Sequence, residues 1–474
     1  MAYDELTQRI LKRITPSAEE RKKVNALSHK LEEKISKASQ TRGVAAKVRV
    51  EGSIAKDTYL SEDPDIDVFM RLPTSIPRKE LGTVGLSIAK DAAGDAERLE
   101  RFAEHPYLEI FTEGYRVDIV PCYDTSPGEW QSATDRTPYH TDYIRTHLKE
   151  PMRDEVRLLK KFMQGIGVYG AEIKVGGFSG YLCELLVMHY SSFAGVIQAF
   201  AEYSKRIVID IEGHYSLRGR DLELLFPEPL VIVDPIDKAR NVASAVQPQK
   251  LYEFVAATRA FMDSPSEEFF YPQPKHALPP NIVESHLSGE NTSHLYIQVS
   301  ELTAVPDILW GQLYRTKRSL RKLLETNDFT VLRDAVWSNE SSLSVFVFEL
   351  EQRILPNVKK HLGPQLERKT ESEKYLTKYL GDNRVLVGPY VEDGRWVVEL
   401  PRKYTDAAAL LRERLTDGGR GAGVAELVAQ AYKADGRVLI DEEILKAYTE
   451  NSDFAVFLTE FLAGKPFWLK AKET

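Results

Sequence analysis

Between Asp63 and Leu72 the chain reads DPDIDVFMRL, and this alternation dictates how the segment can sit in a sheet. Successive side chains of a strand point to opposite faces, so Ile66, Val68 and Met70 form one apolar face while Asp65 and Asp67 project together from the other. Two neighbouring carboxylates repel each other. An exposed strand edge relieves the repulsion by solvation, and a bound cation relieves it by charge, because a hard metal takes oxygen ligands. Taken alone, the stretch allows both.

The flanking sequence predicts a sheet to hold it. SAEERKKVNALSHKLEEKISKA, opened by Pro16 and Ser17 with acids in its first turn, predicts a long helix. AKVRVEG and DIDVFMRL predict strands joined through a loop at Gly52-Ser53, and LGTVGLSIAKDAAGD predicts a helix. YLEIFTEG and YRVDIVPCY predict two strands separated by Glu113-Gly114. In the last of these Val117 and Ile119 share one face and Asp118 takes the other, so a third carboxylate stands on a neighbouring strand. Three such carboxylates, two of them at i and i+2, suit a pair of cations. One cation activates an attacking hydroxyl and the other holds a leaving phosphate. Gly52-Ser53, upstream of Asp65, offers a free backbone and a hydroxyl for triphosphate oxygens. Together these features resemble the DNA polymerase β-like nucleotidyltransferases.

Longer blocks narrow the resemblance. GSIAKDTYL, DPDIDVF, AEHPYLEI, VDIVPCY, DRTPYH, EVRLLKKFMQGIGVYGAEIKVGGFSGYLCELL and VIVDPIDKARNVASAV run from Gly52 to Val246. Their order and spacing are similar to those of the archaeal, class I CCA-adding enzymes, the CCA tRNA nucleotidyltransferases. GPYVEDGRWVVELPRKY is a weaker match further on. The resemblance implies template-independent addition of C, C and A to the 3′ end of tRNA from CTP and ATP, with release of pyrophosphate. It implies Asp65, Asp67 and Asp118 as the catalytic residues holding two Mg²⁺ ions. It implies Gly52, Ser53, Lys56, His140, Lys160, Tyr169 and Arg240 as nucleotide contacts, with Lys160 on the triphosphate and Arg240 on the base edge. A planar guanidinium can donate to cytosine O2 and N3 or to adenine N1, which suits C and A. Lys56 stands where the family usually has arginine, and Tyr59 where tryptophan is common. Lysine keeps the charge and loses the bidentate fork.

The same residues have plainer readings. RDEVRLLKKFMQ sets Val156, Leu159, Phe162 and Met163 on an apolar stripe and leaves Arg157, Lys160, Lys161 and Gln164 as a basic face, which solvent alone would explain. Tyr169 suits a core, His140 an ordinary loop, and Arg240 a surface pair with Asp234 or Asp237 ahead of a small-residue helix. GIGVYG fits a dinucleotide fingerprint but follows a helix instead of a strand, so its glycines are read as a helix end and a turn. GGFSGYLCELLVMHY predicts a buried helix capped by Ser179, with Cys183 and His189 packed in it.

Beyond Val246 the character changes. Four prolines between Tyr271 and Asn281 mark a linker. VPDILWGQLYRTKRSLRKLLET predicts a helix carrying Arg315, Lys317, Arg318, Arg321 and Lys322, either a solvated face or a patch for RNA phosphates, with Arg315, Arg318, Arg321 and Lys322 as the RNA-contact candidates. SLSVFVFELE predicts a buried strand, GPYVEDGRWVVEL a hairpin turning at Asp393-Gly394, and TDAAALLRERL and SDFAVFLTEFL helices, with the glycine-rich DGGRGAG a flexible loop between them.

Composition decides between classes. With 63 Lys+Arg against 71 Asp+Glu the net charge is −8, so any RNA contact has to be local and not global. No run of about eighteen apolar residues and no secretory leader occur, which predicts a cytoplasmic protein with no membrane partner. Cys122 and Cys183 are the only cysteines, too few for a disulfide scaffold or a cysteine-built zinc site. The 474 residues predict about three domains. The expectation is an α+β multidomain chain: a polymerase β-like nucleotidyltransferase head at 1–150, a helical neck for nucleotide selection at 151–268, and an α/β body and helical tail at 269–474. The resemblance sets body and tail on the tRNA acceptor and TΨC arms, and a homodimer is compatible with it. A poly(A) polymerase or a small-molecule nucleotidyltransferase would keep the carboxylates, and the Arg240 block speaks against both. A silent RNA-binding protein would be suggested by a lost carboxylate, and all three are present.

Overall fold

The computed structural model describes residues 2–102, 105–215, 220–289 and 292–469. The chain forms two compact units, Met1–Pro274 with Pro466–Thr474, and Lys275–Lys465.

The first unit opens with α1 (Ala2–Ile14) and α2 (Ala18–Thr41). Ser17 caps α2, its hydroxyl accepting from the Glu20 amide at 3.1 Å. Then follow β1 (Lys47–Glu51), α3 (Gly52–Lys56), β2 (Ile66–Leu72), α4 (Arg78–Ala93), β3 (Glu97–Phe102), β4 (Pro106–Thr112) and β5 (Tyr115–Tyr123). The five strands lie in the order β1-β2-β5-β4-β3, with β2 and β5 parallel and the other pairs antiparallel. Ile66, Val68, Met70 and Leu72 are buried beside Val117 and Ile119, and they pack with Leu27 and Ile35 of α2 and Leu81 and Ile88 of α4. Each such side chain contributes about 1.5–3 kcal/mol of apolar burial. Helix α4 approaches the sheet closely, since a Cβ on Gly85 would lie 2.6 Å from Pro121 Cβ. The predicted alternation of β2 holds, and the other face is left to Asp67 and Asp118. Two features differ from the sequence reading. Gly52-Ser53 is the first turn of α3 and not a loop, and the edge strand β3 has no counterpart in it.

Helices α5 (Thr137–His147), α6 (Met152–Gly165), α7 (Gly180–Tyr190) and α8 (Phe193–Ala201) come next. They are followed by β6 (Ile207–Ile209), α9 (Arg220–Leu225), β7 (Leu230–Asp234), β8 (Asp237–Asn241) and α10 (Pro248–Asp263). The three strands form a small sheet in the order β6-β7-β8. Phe162, Phe193, Phe254, Phe261 and Phe270 build the core, with Phe162 and Phe261 5.1 Å apart edge to face. Ser179 caps α7 as predicted. Cys183 is buried, whereas His189 is exposed at the helix end. The expected basic face of α6 is not solvated: Arg157 and Lys160 are buried. The expected helix over VASAV is a turn, and α10 starts only at Pro248.

The second unit comprises α11 (Pro280–Leu287), β9 (Ser293–Ser300), α12 (Pro306–Thr326), β10 (Val331–Ser338), β11 (Leu343–Leu350), β12 (Val358–Gln365), α13 (Lys369–Tyr379), β13 (Val387–Glu392), β14 (Arg395–Pro401), α14 (Ala407–Leu415), α15 (Glu426–Asp435), β15 (Arg437–Ile440), α16 (Leu445–Glu450) and α17 (Ser452–Ala463). One sheet runs β10-β11-β9-β15 and another β12-β14-β13. The buried strand, the hairpin at Asp393-Gly394 and the long basic helix are where the sequence places them. Among the described residues no single helix is long and apolar enough to cross a membrane.

Candidate active site

Strand register assembles the acidic row. Asp67 stands opposite Asp118 across β2 and β5, Glu51 opposite Asp67 across β1 and β2, and Glu109 opposite Asp118 across β4 and β5. Residues paired in this way share a face, so four carboxylates cross the sheet in line. The outer two are neutralised locally: Arg49 Nε donates to Glu51 at 2.6 Å and Arg101 to Glu109 at 2.9 Å. The inner two are not. Burial first, then the charges of Asp118 and Asp65, push the Asp67 carboxyl up to about 7. Burial likewise pushes Asp118 up to about 6 against the pull of Arg116, with Glu109 and Asp65 adding to the rise. Asp65 precedes β2 and pairs with Arg116.

This pair fits a divalent cation. Among the described residues Asp118 Oδ1 is buried without a hydrogen-bond partner, and two neighbouring carboxylates that resist joint ionisation are relieved by positive charge. Among the described residues no three acidic, histidine or cysteine side chains converge as a preassembled cage; Asp65 turns to Arg116 instead.

Beside the row lies the Gly52-Ser53 turn. Gly52 has φ +66°, in the left-handed region, and a Cβ there would collide with Asp67 Oδ2; only glycine brings this backbone so close to the carboxylate. Ser53 follows in α3, and Lys56 ends it. Lys56 Nζ donates to Glu184 Oε2 at 2.6 Å. Lys160 Nζ donates to the Thr58 carbonyl at 3.0 Å and hydroxyl at 3.1 Å. A Cβ on Gly180 would lie 3.0 Å from the Tyr169 hydroxyl and 3.5 Å from Lys160 Nζ, so Tyr169, Lys160 and the start of α7 crowd together.

A second cluster surrounds Asp234 at the end of β7. This fully buried carboxylate takes His140 Nε2 at 2.8 Å, Arg240 Nη1 at 2.8 Å and the Tyr181 hydroxyl at 3.2 Å. His140 stacks on Tyr181 with centroids 4.0 Å apart. Burial lowers the His140 imidazole below its ordinary value despite Asp234. Arg240 keeps part of its side chain exposed, while Arg136 Nε pairs with Asp237 at 2.7 Å. The Asp–Arg pair seen in the sequence therefore forms, on a buried carboxylate and not on the surface.

The structure thus sets Asp67 and Asp118 on the sheet, with Asp65 just before β2 and Gly52 and Ser53 in the first turn of α3, Lys56, Lys160 and Tyr169 beside them, and His140 with Arg240 around Asp234. Sequence reasoning missed Glu184, Tyr181, Glu51 and Glu109. A lone carboxylate inside the apolar run YLCELL was the available signal for Glu184. In the second unit the basic helix divides: Lys317 and Arg321 both pair with Asp334 on β10 at 2.5 Å, whereas Arg315, Arg318 and Lys322 are exposed.

A mixed sheet bearing paired strand carboxylates beside a Gly-Ser turn defines a polymerase β-like nucleotidyltransferase. Residues 30–140 match the nucleotidyltransferase domain, 154–271 the second domain of tRNA nucleotidyltransferase, and 290–435 the C-terminal domain of the CCA-adding enzyme. The chain is 38% identical to the CCA-adding enzyme of Methanosarcina barkeri over 97% of its own length and 98% of that protein. It is 36% identical to that of Methanothermobacter thermautotrophicus (96% and 97%) and 37% identical to that of Halobacterium salinarum (93% and 94%). A solved cytoplasmic RNA terminal U-transferase superposes on 57% of this chain and 99% of its own, at a TM-score of 0.45 and 15% identity. The chain belongs to the CCA-adding enzyme family.

Proposed function

We propose that the protein adds C, C and A to the 3′ end of tRNA without a nucleic-acid template, from CTP and ATP, at the single site built on β2 and β5. The observation that carries this is the in-register pair Asp67 and Asp118, Asp67 lying against Gly52, in a chain that matches its family over nearly its whole length. The terminal 3′-hydroxyl of the tRNA attacks the α-phosphate, the new phosphodiester bond forms, and the bond to the β-phosphate breaks to release pyrophosphate. Asp65, Asp67 and Asp118 would hold two Mg²⁺ ions, which would supply activation of the hydroxyl and neutralisation of the leaving group.

The chain's other residues bind and orient. Gly52 and Ser53 receive the triphosphate at the start of α3, with Lys56, Lys160 and Tyr169 alongside. An ammonium has three donors; among the described partners Lys160 uses two and Lys56 one, which leaves capacity for phosphate oxygens. Asp234 holds Arg240 and a neutral His140 for the base edge. On this reading residues 1–150 catalyse, 151–268 select the nucleotide and 269–474 hold the acceptor and TΨC arms, Arg315, Arg318 and Lys322 meeting phosphates. The work is cytoplasmic.

The test is incubation with tRNA truncated before CCA, Mg²⁺ and each labelled nucleotide. The expected outcome is two C residues from CTP alone, one further A when ATP is added, and nothing from UTP or GTP. Untemplated poly(A) growth on other RNAs would contradict it.

A further inference from the structure

Glu184 lies within α7 with no solvent exposure, where a carboxylate has to be paired. Its Oε2 accepts from Lys56 Nζ at 2.6 Å and its Oε1 from the Thr58 hydroxyl at 2.6 Å. Lys160 Nζ stands 3.8 Å from Oε1 and is joined to it through Thr58. Burial alone would raise the Glu184 carboxyl, yet the two ammonium groups hold it below its ordinary range. Two ammonium groups thus share one carboxylate in a place buried from water, and burial lowers the Lys160 ammonium below its ordinary value while Glu184 pulls it the other way. Lys56 is close enough for its charge to bear on both Asp67 and His140. The same helix carries Tyr181 against His140 and Asp234.

We propose that Glu184 is a positioning residue that holds Lys56 and Lys160 at the triphosphate end of the nucleotide site, so that it governs binding of the phosphates and not of the base. The inference rests on the nucleotide site read above. It also accounts for lysine at position 56. One ammonium against one carboxylate oxygen needs no bidentate fork.

Equilibrium binding of CTP and of CMP to the full-length protein tests this, with tRNA binding as the control for folding. Glu184→Gln should weaken CTP binding by about tenfold, the scale of one charge-assisted hydrogen bond, and leave CMP within about twofold. Lys56→Met should do the same, and the double variant should be no weaker than the worse single one by more than about twofold, because both act through one unit. Should Glu184→Gln fail to fold, Thr58→Ala removes the hydroxyl that joins Lys160 to Glu184 and should show a smaller loss, again confined to CTP. Equal losses for CTP and CMP, or unchanged CTP binding, would overturn the proposal while leaving the active-site reading intact. A wild-type protein that binds CTP no better than CMP would overturn both.

Discussion

Asp67 and Asp118 stand directly opposite each other across the parallel pair β2 and β5, and among the described residues neither carboxylate has a cationic partner of its own in the way Glu51 has Arg49 and Glu109 has Arg101. Asp65, the neighbour of Asp67 in DIDVF, is paired with Arg116, so the repulsion left on the sheet is between Asp67, which faces Gly52, and Asp118.

Stability should therefore depend on pH and metal in a linked way. Asp67 and Asp118 are raised to about 7 and about 6 from an ordinary 3.8, so the folded state holds their protons more tightly than the unfolded state does. Their contribution is present at low pH and is lost as pH rises through about 4 to 7. The metal-free protein should lose Tm across that window, and Mg²⁺ should raise Tm by several degrees at pH 7.5 and hardly at all at pH 5. Thermal melts of wild type and Asp67→Asn check this: the variant should show a flatter profile and a smaller Mg²⁺ effect.

Arg240→Ala should damage choice between nucleotides more than chemistry. Uracil N3 carries a proton where cytosine N3 accepts one, so UTP sets a donor against a guanidinium donor, a mismatch worth roughly 1–3 kcal/mol in a buried site. Without the side chain the advantage of CTP over UTP should narrow by about ten- to a hundredfold. The readout is kcat/KM for CTP, ATP and UTP on tRNA lacking CCA or only the final A. Equal slowing of all three would make Arg240 a phosphate or structural residue.

The basic helix α12 should divide in function as it divides in geometry. Replacing Arg315, Arg318 and Lys322 together by Ala should weaken tRNA binding and lower its salt dependence by about one unit of slope for each RNA phosphate that the variant no longer neutralises. Arg321→Ala should instead cost stability, since Arg321 pairs with Asp334 and donates to the Val331 carbonyl at 3.0 Å. Binding titrations at several salt concentrations, with melts alongside, separate the two; an unchanged slope in the triple variant returns the patch to solvent.

The strand faces and the long helices were legible because periods of 2 and 3.6 survive in local sequence, as the buried Ile66, Val68 and Met70 show. Depth was not. Arg157 and Lys160 sit off the apolar stripe of α6 and are nevertheless buried, since their partners Asp57 and Thr58 lie far away in sequence. The single turn of α3 is too short for any period to register. VASAV, rich in alanine, reads as helix, but Asn241 Oδ1 accepts from the amides of Ile232 at 3.0 Å and Ala243 at 2.9 Å, and this side-chain bonding competes with helix formation. Strand β3, ERLERF, lies at the sheet edge and is mostly exposed, so charges mask its alternation.

The central claim is one site for all three additions, and Asp118→Asn tests it most directly. An amide keeps the shape and loses the charge. Single-turnover incorporation of CMP and AMP should both vanish, while tRNA affinity, carried by other surfaces, stays within about threefold. AMP addition at the wild-type rate, with CMP addition lost, would contradict a shared site.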